Sequence, residues 1–78
     1  MDMLDVTARF DIEGQTIPLQ FIWKGRTFPV ESTGRYWDDE DGFHILAMVP
    51  GGRVFELLFK PDMKRWYLAK EGPGRMVV

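Results

Sequence analysis

Between Leu4 and Ile12 every second residue is apolar, with Leu4, Val6, Ala8, Phe10 and Ile12 alternating with Asp5, Thr7, Arg9 and Asp11. A period of two puts the apolar side chains on one face of an extended strand, whereas a helix repeats its faces every 3.6 residues. The same period recurs along the chain, punctuated by turn-forming residues. After Glu13-Gly14-Gln15, the residues Ile17, Leu19, Phe21 and Trp23 are expected to face one way, with Pro18, Gln20, Ile22 and Lys24 on the other side. Lys24-Gly25 reads as a two-residue hairpin turn into Arg26 to Glu31, where Phe28 and Val30 continue inward.

The segment Ser32 to Gly42 mixes turn formers with Tyr36, Trp37 and four consecutive acids, and is expected to be a loop with at most a short strand at Arg35 to Trp37. Phe43 to Val49 is apolar on both faces, the pattern of a central or covered strand. Pro50-Gly51-Gly52 suits a type II turn, and Arg53 to Phe59 returns with Phe55, Leu57 and Phe59 inward. Pro61 to Lys64 is the next turn, followed by a last strand, Arg65 to Ala69, with Trp66 and Leu68 inward. Residues 71–78 are expected to form a flexible tail.

These segments predict an all-β fold, an antiparallel meander of about six strands curled into a small SH3-like or split barrel. The expected core is Phe21, Trp23, Phe28, Phe55, Leu57, Phe59 and Trp66. A chain of 78 residues supports one domain, 1–78, and its three tryptophans, two tyrosines and six phenylalanines supply the bulk that so short a chain needs. Cysteine is absent, so disulfides and thiolate metal sites play no part, and a reducing, cytoplasmic setting is expected. The acidic start Met1-Asp2-Met3-Leu4-Asp5 does not suit a secretion signal, and the longest apolar run, Ile45 to Val49, is too short to span a membrane.

The run Asp38-Asp39-Glu40-Asp41-Gly42 has the look of a calcium loop, but its register fails. With Gly42 in the sixth place, Trp37 would occupy the first ligand position and Met48 the twelfth, and neither side chain binds calcium. A solvated acidic loop is the expectation, with no metal and no cofactor. His44, the one histidine, follows this cluster but has no cysteine or nucleophile-elbow serine to work with, so it reads as a structural strand residue. The expectation is therefore a non-enzymatic chain with no catalytic residues.

Trp23-Lys24-Gly25-Arg26 and Lys64-Arg65-Trp66-Tyr67 set cations beside aromatics at two hairpins. Lys24, Arg26, Trp37, Arg53, Arg65 and Tyr67 are accordingly the candidate binding residues of a protein-interaction module. Sheet edges offer unpaired backbone groups and a route to homodimerisation. The alternative partner is single-stranded nucleic acid stacked on the same basic and aromatic residues, against which a net charge of −2 and a pI near 5.2 weigh.

The hairpin Phe21-Ile22-Trp23-Lys24-Gly25-Arg26, with Val30, Trp37, Phe55-Glu56-Leu57, Pro61-Asp62 and Trp66-Tyr67-Leu68, resembles a bacterial family of small uncharacterised β domains. The resemblance spans Ile17 to Leu68. Members of that family occur alone or attached to polymerase-like DNA-damage-tolerance proteins. The resemblance thus implies an accessory role in DNA transactions and carries over no catalytic residue.

Overall fold

The computed structural model describes residues 1–72, whose regular elements are all strands. They are β1 (Asp2–Phe10), β2 (Thr16–Trp23), β3 (Arg26–Pro29), β4 (Ser32–Asp39), β5 (Gly42–Val49), β6 (Arg53–Lys60) and β7 (Arg65–Gly72). All ladders are antiparallel, and the seven strands run in the order β3-β2-β1-β7-β6-β5-β4. The expected meander is present with one strand more, rearranged so that β1 docks on β7 and the sheet curls into a half-barrel. No helix of the described residues is long and apolar enough to cross a membrane.

Curling depends on β1 changing partners along its length. Asp2 to Leu4 pair with β7, whereas Asp5 to Phe10 pair with β2. The β1–β3 flap thereby folds over the β4–β7 sheet, and Phe21 and Phe28 of the flap meet Phe55 of the sheet. Ring centroids lie 5.2 Å apart for Phe21–Phe28 and Phe21–Phe55 and 5.1 Å apart for Phe28–Phe55. Trp23 closes the group at 5.7 Å from Phe55, and its indole N–H donates to Asp2 Oδ2 at 2.8 Å. At the open end the short crossover from β3 to β4 is held to both halves, since Val30 N–H donates to the Leu19 carbonyl and Glu31 N–H to that of Met48.

Most of the expected core is buried or packed against it: Phe21, Phe28, Phe55 and Leu57 are buried, joined by Leu4, Ala47, Val49 and Leu68, with Trp23 and Trp66 partly covered. Phe59 departs from expectation and is only half-buried. β5 is buried on both faces, as its continuous apolar run predicts: Ile45, Ala47 and Val49 on one side, His44 and Leu46 on the other.

Three segments depart from the sequence reading. In β2 the phase inverts, so Pro18 is buried and Leu19 is 44% exposed. The cause is a bulge: Thr7 pairs with Gln20 but Ala8 with Pro18, leaving Leu19 unpaired and shifting every residue before it to the opposite face. Ser32 to Asp39 is a full strand rather than a loop, its alternation broken by an irregularity between Thr33 and Tyr36. Glu71 and Gly72 belong to β7, with Gly72 opposite Val54, rather than to a tail; the rest of that expected tail, 73–78, lies outside the described residues.

Two turns need backbone freedom. Lys24 and Gly25 both have positive φ, 51° and 73°, as a two-residue hairpin twisted like its strands requires. Gly42 has a φ of 144° and is confined as well, since a Cβ there would collide with the Phe59 carbonyl oxygen. The ring cluster is expected to dominate stability. Phe55→Ala should lower the unfolding free energy by about 3–5 kcal/mol, measured by urea denaturation, and unchanged stability would show that the flap does not depend on it.

Candidate functional site

The six candidate binding residues divide among three places. Lys24, Arg26 and Arg53 converge on the rim of the ring cluster: the Lys24 ammonium is 4.8 Å from the Trp23 ring, and the Arg26 guanidinium 5.0 Å from that of Phe28. Arg53 lies 5.6 Å from Phe28 and 4.8 Å from Phe55, and pairs with the Glu71 carboxylate. These cations cap the core by cation–π contact. Arg65 and Tyr67 lie toward the other end of the sheet, since Arg65 pairs with Lys60 while Arg53 begins β6, a separation of roughly 23 Å at 3.3 Å per residue. There Arg65 Nη1 contacts Met3 Sδ at 3.3 Å and the Lys60 ammonium lies 5.5 Å from the Tyr67 ring. The basic and aromatic residues therefore form no single face.

Trp37 occupies the third place, with His44. The two are directly opposite across the β4–β5 ladder, and their rings stack at 4.8 Å and 5°. Arg35 covers the indole, 4.9 Å from its ring. On the diagonals, Glu56 Oε2 is hydrogen-bonded to His44 Nδ1 at 2.9 Å, and Asp39 Oδ2 lies 2.9 Å from Nε2, off the N–H axis, so that this nitrogen has no aligned acceptor. The His44 side chain is 7% exposed. Asp39 also holds the β4–β5 turn, its Oδ1 accepting from the backbone N–H of Asp41 at 2.8 Å and of Gly42 at 3.3 Å. The leading acids of the expected loop thus end a strand and build a tight turn. Among the described residues, no three or more His, Cys, Asp or Glu side chains are arranged to hold a metal ion.

This arrangement locks a histidine in place. Both imidazole nitrogens face carboxylates, an indole covers one ring face, and the side chain is buried, so little of His44 is accessible to a substrate. Sequence reasoning found His44 and Trp37 but missed Glu56 as the histidine's partner. The signal was present, since Glu56 is the lone acid in the apolar run Val54 to Phe59.

A different feature is open to solvent. Val6, Ala8 and Phe10 of β1 and Thr16 of β2 face Phe59 and Trp66 across a cleft of about 260 Å³. It exists because the β1–β2 hairpin leaves the sheet: β7 pairs with β1 only as far as Leu4, and β3 with β2 only from Gln20 onward. Beyond those points the hairpin is a two-stranded arm that carries Phe10 at 75%, Ile12 at 102% and Leu19 at 44% exposure. Phe59 and Trp66, 5.1 Å apart, form the cleft floor. The alternation from Leu4 to Ile12 announced this apolar face, but not that half of it stays uncovered.

The His44 contact, with the Asp41 and Gly42 N–H groups, holds the Asp39 carboxyl below its ordinary range. A carboxylate with a lowered folded-state pKa stabilises the fold above its unfolded value and ceases to do so as pH falls through the folded one. Asp39→Asn is therefore expected to lower the urea midpoint at neutral pH, and the gap from the parent protein should close as pH drops below the ordinary carboxylate range. A gap independent of pH would remove the charge contact as its cause. Compared with family models, with curated proteins and with solved structures, the chain matches none.

Proposed function

We propose that this chain is a protein-binding module without catalytic chemistry, and that it binds through the cleft beneath the β1–β2 arm. The observation that carries this reading is the uncovered apolar arm itself. Scattered exposed apolar residues are ordinary on a protein surface, but contiguous ones beside a cleft mark an interaction site. Phe10 and Ile12 project on the arm while Phe59 and Trp66 form a floor, so the surface offers both knobs and a pocket, the pattern of a contact centred on a few buried aromatic anchors.

The second reading is a nucleic-acid accessory module, which would also serve the DNA-transaction role implied by the family resemblance. In its favour, Lys24, Arg26 and Arg53 gather on one rim. The rings beneath them argue against it, because Phe21, Phe28 and Phe55 are buried and present no open face on which a base could stack.

Two measurements separate these readings. A photoreactive amino acid replacing Phe10, irradiated in cell extract, should give covalent protein adducts that the same group at Asp38 does not; no adduct at position 10 would refute the proposed surface. Titration with single-stranded DNA, followed by tryptophan fluorescence, should leave the emission unchanged at low salt. Salt-sensitive quenching would favour the nucleic-acid reading instead.

A further inference from the structure

The free edge of β1 points to what occupies the cleft. From Val6 to Phe10 this strand has β2 on one side and, among the described residues, no strand on the other, because β7 begins at Arg65 and pairs with β1 only as far as Leu4. Sheet edges are usually short, bulged, charged or closed by proline. β3 is four residues long and ends in Pro29, while β4 is irregular between Thr33 and Tyr36 and ends in Asp38 and Asp39. Over this stretch the β1 edge carries a single charge, Arg9, and neither bulge nor proline. The bulge in its hairpin falls on β2, at Leu19, so the β1 side stays regular.

Resting on the reading of the cleft as a protein-docking site, we propose that its occupant is a second copy of this chain, with β1 paired antiparallel to β1 about a two-fold axis at Ala8. Two limits select that register. Trp66 already occupies the place beside Leu4, and at Asp11 the chain turns away, its carboxylate accepting from the N–H groups of Glu13 and Gln15. Only Val6–Phe10 is left to pair, and a two-fold axis uses the whole stretch only with Ala8 opposite Ala8. Val6 of each copy then stands opposite Phe10 of the other, and Thr7 opposite Arg9. Because Val6, Ala8 and Phe10 line the cleft, Phe10 of the second copy descends beside Val6 onto Trp66 and Phe59, covering the apolar floor.

Charge supports the same pairing. The hairpin turn carries Asp11 and Glu13, and in this register the turn of one copy arrives at the start of β7 in the other, where Lys64 and Arg65 are exposed. By symmetry the dimer makes this contact twice, once for each acidic turn. On the outward face Thr7 stands opposite Arg9, while Asp5 stands opposite Asp11 with Arg9 of the second copy diagonal to Asp5, so the cation lies beside both acids.

Light scattering or sedimentation of the full chain over a concentration series is expected to show a species of twice the chain mass. Phe10→Asp should raise the dissociation constant at least about 30-fold, the scale of losing one interface hot spot, while leaving monomer stability nearly unchanged because Phe10 is exposed. Glu13→Lys and Arg65→Glu should each weaken the dimer, and the two together should restore it. Since the chain has no cysteine, Ala8→Cys introduces a single thiol, which under oxidation should link two copies much faster than Asp38→Cys does. A monomer at every concentration overturns the proposal, and so does a dimer indifferent to Phe10→Asp or one that Ala8→Cys fails to trap. If the chain is monomeric yet a photoreactive group at position 10 captures a different protein, the self-pairing falls and the docking site stands. With no adduct at all, both fall.

Discussion

Contact among Phe21, Trp23, Phe28 and Phe55 joins the two halves of the sheet, and the remaining architecture follows from it. A seven-stranded antiparallel sheet of this length has one apolar face to hide and no helix among the described residues to hide it under. Folding the β1–β3 flap over β4–β7 solves this internally, with aromatic rings in edge and offset contact filling the fold. The solution is incomplete. The flap is longer than the part of it that the rings cover, so the end of the β1–β2 hairpin extends past the core with its apolar face uncovered.

The two functional candidates differ because of this geometry. Around the ring cluster the cations are used internally, lying on aromatic faces and, for Arg53, against Glu71. Around His44, a stacked indole and two carboxylates leave the imidazole no freedom. Both places contain residue types that catalyse or bind in other settings, and in both the side chains are spent on one another. The arm is the reverse case, apolar residues of no chemical distinction that stay exposed among the described residues.

Period and turn chemistry made much of the fold legible. The doubly apolar run of β5, the Lys24-Gly25 turn and the inward Phe21, Phe28 and Phe55 are local properties, and local sequence specifies them. What escaped depended on a second strand. Pro18 and Leu19 exchange faces because the ladder with β1 slips by one residue, and no pattern within β2 records that slip. The irregularity between Thr33 and Tyr36 disguised β4 in the same way, and its acids suggested a loop although Asp38 and Asp39 have partners in β5. For the candidate site the residue types were readable but their grouping was not: Arg53 and Arg65 open successive strands, yet antiparallel pairing sends them to opposite ends of the sheet.

The order of the strands also bears on how the chain reaches this state. Every ladder but one joins strands adjacent in sequence, so β1–β3 and β4–β7 are each assembled from local hairpins. The exception is β1 on β7, where Asp2 finds Leu68 and Leu4 finds Trp66 across almost the whole chain. Closing so long a loop costs entropy that short contacts do not repay until the rings meet. Formation of that three-residue ladder, together with collapse of the aromatic cluster beside it, is therefore the closure that costs the most chain entropy. The projecting hairpin, built from neighbouring strands, adds little to that cost.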